Sequence, residues 1–318
     1  MLKLDRVSKT YRLGAFGGKE LRAVNEVSFD IGPGEVVSLI GESGSGKSTI
    51  GRMILGLTSI TKGAIRFDGL DVGALRRRDV KAYYRRVQGV FQDPFSSYNP
   101  IFKADRVLRL IKNEYFRDVG AVEWDAKLNA SLEAVGLNPP EVLDKFPHQL
   151  SGGQLQRLLV ARALLLDIDF LVADEITSML DASTRIDVLN LLADLKARGL
   201  AILFITHDLS LGYYISERTV ILYRGTVVEI GDTRKVFDHA SHPYTKMLMA
   251  SIPHLDTKWE SREPVLNGSN GDGFRAAGCV YYGRCPIAEA GLGCDRETPR
   301  LVEIEPGHAV ACFKVAPS

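Results

Sequence analysis

The sequence has no apolar run long enough to cross a membrane. Its longest apolar stretches, such as LLLDIDFLVADEI at residues 164–176, are interrupted by acids well before the roughly 20 residues that span a bilayer. The amino-terminal segment MLKLDRVSKTY alternates apolar and polar residues, as a strand does, and lacks the apolar core of a signal peptide. We therefore expect no membrane helix in this chain and a location in the cytoplasm.

An excess of charge of one sign is also missing. Lysine and arginine together number 40, and aspartate and glutamate number 39, which leaves a formal net charge of +1. A chain balanced in this way carries no sequence-wide signal for binding a polyanion. Nucleic acid is therefore not the expected partner.

The order of predicted elements favours an α/β fold. Alternating segments at residues 1–7, 22–30 and 64–69 predict an antiparallel β layer, and the apolar run VVSLI at residues 36–40 predicts a strand that leads into a glycine-rich loop and a helix. Amphipathic spacing predicts a helical subdomain over about residues 100–160. The runs FLVADE and AILFITHD, separated by an amphipathic helix, predict buried parallel strands.

The length of the chain predicts a principal domain with an appendage. A chain of 318 residues exceeds one average domain, and 45% of its residues are hydrophobic, enough for a sizeable core. We assign residues 1–253 to the α/β domain and residues 254–318 to a C-terminal extension. Within the extension, GSNGDG at residues 268–273 is interpreted as a flexible linker.

The segment GESGSGKS at residues 41–48 fits the pattern G-x-x-x-x-G-K-[ST], between a predicted strand and a predicted helix. Glycines let backbone N–H groups surround phosphates, the lysine reaches the outer phosphates, and the serine ligates Mg²⁺. An ordinary glycine-rich turn is the alternative, and the strand and helix around the pattern disfavour it. The expected ATP-binding residues are Gly41, Ser43, Gly44, Gly46, Lys47, Ser48 and Thr49.

Two acids end the apolar run FLVADE. Asp174 and Glu175 are expected at the carboxyl edge of the sheet, where ligands bind in α/β folds. Asp174 is predicted to hold Mg²⁺, and Glu175 to orient or deprotonate the attacking water. A solvated turn is the alternative interpretation, which the neighbouring phosphate-binding motif makes much weaker.

The segment LSGGQ, residues 150–154, opens a predicted helix for which Ser151 is an available N-cap. The helix start offers backbone amides and a hydroxyl to an anion. A capped helix without a ligand would explain SGG alone, but here the motif precedes the strand with the two acids by about one helix.

With these three motifs the chain resembles the ATP-binding cassette (ABC) type of P-loop NTPase over residues 1–253. The resemblance implies that Tyr11 stacks on adenine, that Gln92 contacts Mg²⁺ and senses the transporter, and that His207 contacts the γ-phosphate. It also implies that Asp181 belongs to the loop that links two ATP sites. Proline usually follows the catalytic glutamate in this family, and Ile176 replaces it here, for which we expect a small change of loop geometry.

The same resemblance implies how the protein assembles. Each ATP would lie between the P-loop of one subunit and the LSGGQ segment of the other, so that Ser151, Gly152, Gly153 and Gln154 act in trans. Dimerisation would then be obligatory for turnover. The expected reaction is hydrolysis of ATP to ADP and phosphate with Mg²⁺ as cofactor.

Longer matches resemble the oligopeptide/dipeptide importer ATPases, and the second of their paired ATPases, the F type, in particular. These are FQDPFSSYNP, FPHQLSGGQLQR, VEIGDTRKVF and SHPYTKMLMASIP. The resemblance implies a distinct D-type ATPase as the partner, two transmembrane permeases, an extracytoplasmic solute-binding protein, and a position at the cytoplasmic face of the membrane. Oligosaccharide and nickel remain alternatives to peptide as the transported solute.

Cysteine is absent from the first 278 residues. Cys279, Cys285, Cys294 and Cys312 all lie in the tail, and a cytoplasmic location disfavours disulfides between them. The wide spacing, with Pro286 after Cys285, favours a [4Fe-4S] cluster that staples the tail; the tail also resembles the cluster-bearing extension of some dipeptide importers. Zn²⁺ is the alternative, although its structural sites usually use tight pairs of cysteines. Because the cysteines lie far in sequence from the ATP motifs, we assign them no role in catalysis.

Two other classes of function share some of these features. Chromosome-maintenance and repair ATPases carry the same three motifs, but they separate them by long coiled coils, and this chain has no sustained heptads. A metal- or redox-sensing module remains possible as a subordinate function of the tail.

Overall fold

The computed structural model describes residues 1–13, 18–251 and 278–315. The chain divides into two compact units, one formed by Met1–Ile31, Val36–Ala74 and Ile205–Ser318, the other by Gly32–Glu35 and Leu75–Phe204. Both units combine strands with helices, which confirms the α/β class. The predicted linker and the predicted boundary at residues 253 and 254 lie outside the described residues. Among the residues that are described, no helix is both long and apolar enough to span a membrane.

Twelve strands are present in the described part of the chain. They are β1 (Leu2–Leu13), β2 (Lys19–Ile31), β3 (Val36–Ile40), β4 (Lys62–Phe67), β5 (Leu70–Asp71), β6 (Val87–Val90), β7 (Phe170–Asp174), β8 (Ala201–Thr206), β9 (Arg218–Tyr223), β10 (Thr226–Asp232), β11 (Val302–Glu305) and β12 (His308–Val310).

Ten α-helices accompany these strands in the described ranges. They are α1 (Lys47–Ile54), α2 (Arg77–Arg86), α3 (Arg106–Tyr115), α4 (Ala121–Glu133), α5 (Pro139–Val142), α6 (Gly152–Leu164), α7 (Ala182–Ala197), α8 (Leu209–Ile215), α9 (Thr233–Asp238) and α10 (Pro243–Ala250). The run from α3 to α6 confirms the predicted helical subdomain.

The first unit contains the predicted antiparallel layer. Its strands are hydrogen-bonded in the order β2, β1, β4, β5. Leu2 and Leu4 of β1 are buried and alternate with polar neighbours, as expected for a strand with one face on the core. Both β1 and β2 run longer than the sequence pattern predicts, since the pairing continues to Leu13 opposite Lys19.

A second sheet in the same unit has the order β11, β12, β10, β9, β3. Strand β3 is parallel to β9, and β9 and β10 form an antiparallel pair. The two strands of the tail, β11 and β12, were not predicted from the sequence. Strand β12 pairs with β10, and its Val310 is fully buried, so the tail packs on the core of the first unit instead of forming its own.

A buried hydrogen bond between His308 and Glu229 links the tail strand β12 to β10. His308 Nε2 lies 2.7 Å from Glu229 Oε1, and neither side chain is appreciably exposed. The backbone N–H groups of Ser241 and His242 donate to the same carboxylate at 2.8 and 2.9 Å. Three hydrogen-bond partners thus satisfy a buried polar group that would be costly to leave without them.

The second unit carries the other strands of the nucleotide motifs. Strands β8, β7 and β6 are neighbours in that order, with residues 201–204 of β8 belonging to this unit. Strands β6 and β7 are parallel, with Val87 opposite Phe170. Every residue of β7 and β8 is buried, which confirms the interpretation of their continuous apolar runs as strands covered on both faces.

Candidate nucleotide-binding and hydrolysis site

The glycine-rich loop of residues 41–46 joins β3 to α1 in the first unit. Gly44 and Gly46 have φ angles of 78° and 105°, which side chains rarely tolerate. A Cβ on Gly41 would lie 2.1 Å from the Leu222 carbonyl oxygen, and one on Gly46 would lie 2.4 Å from the Ala23 carbonyl oxygen. The loop therefore needs glycine at these positions for its path and for the close approach of neighbouring backbone.

Lys47 begins α1 and is 4% exposed. Its ammonium donates to the carbonyl oxygens of Gly41 at 2.7 Å and Glu42 at 3.0 Å. These bonds hold the ammonium over the loop, beside the first turn of the helix. Ser43 is exposed, and Ser48 and Thr49 are half-buried, so the loop and the helix start present both amides and hydroxyls to a ligand.

Two further residues predicted from the family resemblance lie in this unit. Tyr11 is half-buried on β1, and the Lys9 ammonium lies 4.9 Å from the centre of its ring. His207 is exposed and directly follows β8. Asp208 then caps α8 by accepting hydrogen bonds from the N–H groups of Ser210 and Leu211. The contacts of Tyr11 with adenine and of His207 with phosphate stay predictions.

The two acids lie at the end of β7 in the second unit. Asp174 is the last residue of the strand and is 6% exposed. Glu175 has a φ of 50°, which is uncommon for a residue other than glycine. The backbone N–H and the hydroxyl of Ser178 hold the Glu175 carbonyl at 3.1 and 2.9 Å. Such a strained backbone is a feature of functional sites.

Ile176 stands where the family usually has proline, and it is 1% exposed. Its side chain therefore contributes to the core directly after the strained glutamate. The small change of loop geometry that we expect from this replacement remains a prediction.

The LSGGQ segment forms the capped start of α6. Ser151 Oγ accepts from the Gln154 N–H at 3.1 Å, and the Gln154 side chain accepts from the Ser151 N–H at 2.9 Å. This is a reciprocal capping box. A Cβ on Gly153 would lie 2.7 Å from Thr184 Cγ2, so this glycine lets α6 pack against α7. Ser151 is exposed, Gly152 and Gln154 are half-buried, and Gly153 is buried, so the first three can face another molecule.

Asp181 is the N-cap of α7. Its carboxylate accepts hydrogen bonds from Ser183 Oγ at 2.6 Å and from the N–H and hydroxyl of Thr184 at 3.0 and 2.9 Å. These bonds hold the pKa of the Asp181 carboxyl well below its ordinary value. The hydrogen bonds of the Asp181 side chain are thus made to the first turn of α7. Only the family resemblance connects this residue with a second ATP site.

Gln92 lies in the loop after β6 and is exposed. Around it, Asp93 Oδ1 accepts from the Phe95 N–H at 2.9 Å, while the Phe95 ring is 48% exposed. Ile101 and Phe102 are exposed in the residues that follow. The loop therefore presents apolar side chains close in sequence to a residue predicted to sense the transporter.

The four cysteines of the tail line one small cavity, together with His242 and Tyr281. Burial raises the pKa of the Cys279 thiol to about 11 and also raises the pKa of Cys285. Within the described residues, no group of three or more His, Cys, Asp or Glu side chains is arranged to hold a metal ion. The structure thus gathers the thiols without forming a ready-made ion site, and neither a [4Fe-4S] cluster nor Zn²⁺ gains support from it.

Sequence reasoning missed two residues that contact the P-loop. Arg284, next to Cys285, donates through Nη1 to both carboxylate oxygens of Glu42, and the Glu42 N–H donates to Tyr244 Oη. The cysteine-bearing tail, far from the ATP motifs in sequence, therefore touches one of them in the fold. The only available signals were the position of Arg284 beside a cysteine and of Tyr244 within the segment SHPYT.

Comparison with known families identifies two regions of the chain. The family model described as ABC transporter matches residues 24–178. The model described as oligopeptide/dipeptide transporter, C-terminal region, matches residues 228–294. The second match includes three of the four cysteines and Arg284.

Curated relatives match over nearly the full length. A putative peptide import ATP-binding protein of Brucella ovis is 42% identical over 297 residues, which cover 92% of each chain. The oligopeptide transport ATP-binding protein OppF of Haemophilus influenzae is 36% identical and covers 93% of this chain and 89% of its own. Among solved structures, a dimeric ATP-binding cassette in a post-hydrolysis state with ADP and phosphate is 31% identical, with a TM-score of 0.66, over 74% of this chain and 99% of its own.

Proposed function

We propose, from the premise that this chain belongs to the oligopeptide/dipeptide branch of the ABC transporter family, that it binds and hydrolyses ATP to power the import of oligopeptides or dipeptides. The observation that carries the proposal is the glycine loop closed by Lys47 at the start of α1, in a chain whose relatives are named for peptide import. Oligosaccharide and nickel remain alternative solutes.

The P-loop and the start of α1 bind the phosphates of ATP, and Tyr11 stacks on adenine. The helix start and the backbone N–H groups of the loop favour the negative charge of the phosphates. Ser48, Gln92 and Asp174 would hold Mg²⁺, which would neutralise charge on the phosphates. The phosphate-binding set is Gly41, Ser43, Gly44, Gly46, Lys47, Ser48 and Thr49.

Glu175 and His207 act on the reacting groups. Glu175 orients the attacking water and accepts its proton. Its position directly after the buried strand β7, with its carbonyl held by Ser178, supports the role because it fixes the backbone from which the carboxylate extends. His207 contacts the γ-phosphate. Positioning and electrostatic stabilisation, instead of covalent chemistry by the protein, are what phosphoryl transfer requires.

The site is completed by a second ATPase. The capped start of α6, with Ser151, Gly152, Gly153 and Gln154, faces the ATP of the partner, and Asp181 lies in the loop that links the two sites. The partner is a distinct D-type paralogue. The dimeric state of the solved cassette supports the assembly.

The complex further contains two permeases and, outside the cell, a solute-binding protein. The exposed apolar side chains Phe95, Ile101 and Phe102, near Gln92, support a surface where a short helix of a permease docks. The chain would then work at the cytoplasmic face of the membrane. Residues 254–318 form an extension of an ATPase domain that spans residues 1–253.

A transport assay tests this proposal. The complex of both ATPases and both permeases is reconstituted in vesicles with Mg²⁺ and ATP on the ATPase side and the solute-binding protein with a labelled peptide on the other. We expect ATP-dependent peptide uptake that ADP does not support. ATP-dependent uptake of an oligosaccharide or nickel, with none of peptide, would contradict the peptide assignment alone, and uptake independent of ATP would contradict the whole proposal.

We also propose that the four tail cysteines hold a [4Fe-4S] cluster. The proposal rests on the wide spacing of these cysteines and on the resemblance of the tail to the cluster-bearing extension of some dipeptide importers. In the structure all four line one cavity. Cys279, Cys285, Cys294 and Cys312 would supply the four thiolates that such a cluster needs, and Zn²⁺ would take the same four. When bound, the cluster staples the tail, because binding energy at such a site is also folding energy.

Metal analysis distinguishes the cluster from zinc. Anaerobic purification should yield a brown protein with about four iron and four sulfide per chain. The thiols must lose their protons to bind, so the raised pKa of Cys279 predicts that loading weakens as the pH falls. The Cys285→Ser protein should lose the colour. Colourless anaerobic protein with about one zinc per chain would contradict the cluster in favour of the zinc site.

A further inference from the structure

We propose that Arg284 positions the P-loop through Glu42, and that the four-cysteine segment, residues 279–312, thereby sets the affinity for ATP. The inference rests on the proposed function in one respect, that the P-loop binds ATP. It begins from a contact between residues 242 positions apart in the chain. Arg284 Nη1 lies 3.1 and 3.0 Å from the two carboxylate oxygens of Glu42, the second residue of the P-loop motif.

The ion pair alone would be a weak argument. Its side chains are 35% and 40% exposed, and exposed ion pairs contribute little because both charges remain hydrated. Here, however, the other end of Glu42 is also held by the C-terminal part of the chain. Its backbone N–H donates to the hydroxyl of Tyr244, on α10, at 3.0 Å. Glu42 is therefore fixed at its side chain and at its main chain.

An aromatic cluster fixes both of these partners to the core. The Tyr281 ring lies 5.2 Å from that of Tyr223, edge to face, and 5.5 Å from that of Tyr244. Tyr281 is 3% exposed. The same cluster contains Ile40, the residue before the P-loop, and Cys279 and Cys285 pack against it. The four-cysteine segment thus packs, through the buried ring of Tyr281, against the cluster that contains the residue before the P-loop. Arg284 lies three residues after Tyr281 in the same segment.

Glu42 is also hydrogen-bonded to Lys47, the lysine proposed to bind phosphate. Its carbonyl oxygen accepts from Lys47 Nζ at 3.0 Å and from the Ser45 N–H at 3.1 Å. A Cβ on Gly41 or Gly46 would clash with a neighbouring carbonyl oxygen, so the backbone of other segments lies close against the loop. A tilt of Glu42 would therefore displace the Lys47 ammonium and a backbone amide of the loop together.

The charge of Arg284 should also raise the affinity for ATP, as its positioning of Glu42 does. An uncompensated carboxylate beside a loop that binds phosphates would repel the nucleotide, and the Arg284 guanidinium cancels that charge. Loss of Arg284 therefore frees Glu42 and also exposes its negative charge to ATP. The reverse effect follows from linkage, since whatever the segment contributes to ATP affinity, ATP must contribute equally to the stability of the segment.

Equilibrium binding of Mg²⁺ and ATP to the full chain tests the first half of the proposal. Arg284→Met should weaken the affinity about 10-fold, within the range typical of coupled sites, and Arg284→Lys should restore part of it. Adding Glu42→Gln to Arg284→Met should recover affinity, because the repelling charge is gone. The control is Arg296→Met, which removes an exposed arginine of the same segment whose contacts are with Asp295 and Ala290. It should bind ATP like the wild type.

Hydrogen exchange of residues 279–294 tests the second half of the proposal, that bound ATP stabilises the four-cysteine segment. A merely structural role of Arg284 would not change the effect of ATP on this exchange. Mg²⁺ and ATP should slow exchange there in the wild type and in Arg296→Met, and not in Arg284→Met. If Arg284→Met does not fold, Glu42→Gln breaks the same ion pair from the P-loop side and should also abolish the protection by ATP. Equal ATP affinity in Arg284→Met and wild type, or exchange that ATP does not change in the wild type, would overturn the inference. A wild-type chain that binds no ATP would instead overturn the proposed function.

Discussion

Replacing Glu175 with glutamine should leave ATP binding intact and slow hydrolysis by about 10²–10⁴-fold, the contribution typical of a positioned general base. Glutamine keeps the shape of the side chain and removes the acceptor that the attacking water needs. The backbone at Glu175 has a φ of 50° and its carbonyl is held by Ser178. Because glutamine meets the same backbone constraint, the fold of the loop should not change.

Lys47→Ala provides the contrasting result. It removes an ammonium held over the loop by the Gly41 and Glu42 carbonyls, so ATP binding itself should weaken. Glu141→Gln is the matched control for the chemical change, since Glu141 is an exposed residue of the short helix α5, and it should behave like the wild type. Binding and turnover are measured on the assembled transporter, with the partner's own site disabled. Near-normal turnover by Glu175→Gln under these conditions would exclude Glu175 as the base.

The features that sequence predicted well are those in which neighbouring residues determine the geometry. The P-loop is one, since glycines at 41, 44 and 46 are demanded by nearby carbonyls and by positive φ angles. The capping box at Ser151 and Gln154 is another, because its two partners are three residues apart. The continuous apolar run of β7 likewise predicted a strand buried along its whole length.

The features that sequence missed depend on residues far apart in the chain. The pairing of β12 with β10 rests on His308 and the buried Glu229, whose side chains give no periodic signal. The contact between Arg284 and Glu42 joins a loop near the start of the chain to one near its end. In both cases an apparently irregular tail gains its structure by packing on a distant core, which no local pattern records.

The second large effect concerns assembly. At the start of α6, the side chains of Ser151 and Gln154 accept hydrogen bonds from each other's backbone N–H groups. Because the Ser151 hydroxyl is the acceptor in this pair, it can still donate a hydrogen bond to another group. If that partner is the ATP of the other subunit, a chain without a second subunit lacks part of its transition-state stabilisation. Loss of one such donor costs about 10²–10³-fold in rate, so the monomer should be slower by at least about this factor.

A substitution can separate this effect from instability of the helix. Ser151→Ala removes an N-cap at a cost of about 1 kcal/mol and also removes the proposed contact with ATP in trans. Asp232→Ala removes the N-cap of α9 instead. In the assembled transporter, we expect Ser151→Ala to lower turnover strongly and Asp232→Ala to leave it close to the wild type.

The most direct test of the account is the rate of ATP hydrolysis measured on a strictly monomeric preparation of the chain and on the complex with its partner ATPase and permeases. Both preparations are compared at saturating Mg²⁺ and ATP, so that a difference in affinity does not contribute. We expect the monomer to bind ATP and to hydrolyse it at least about 10²-fold more slowly than the complex. Equal rates in the two preparations would contradict a site that is shared between subunits.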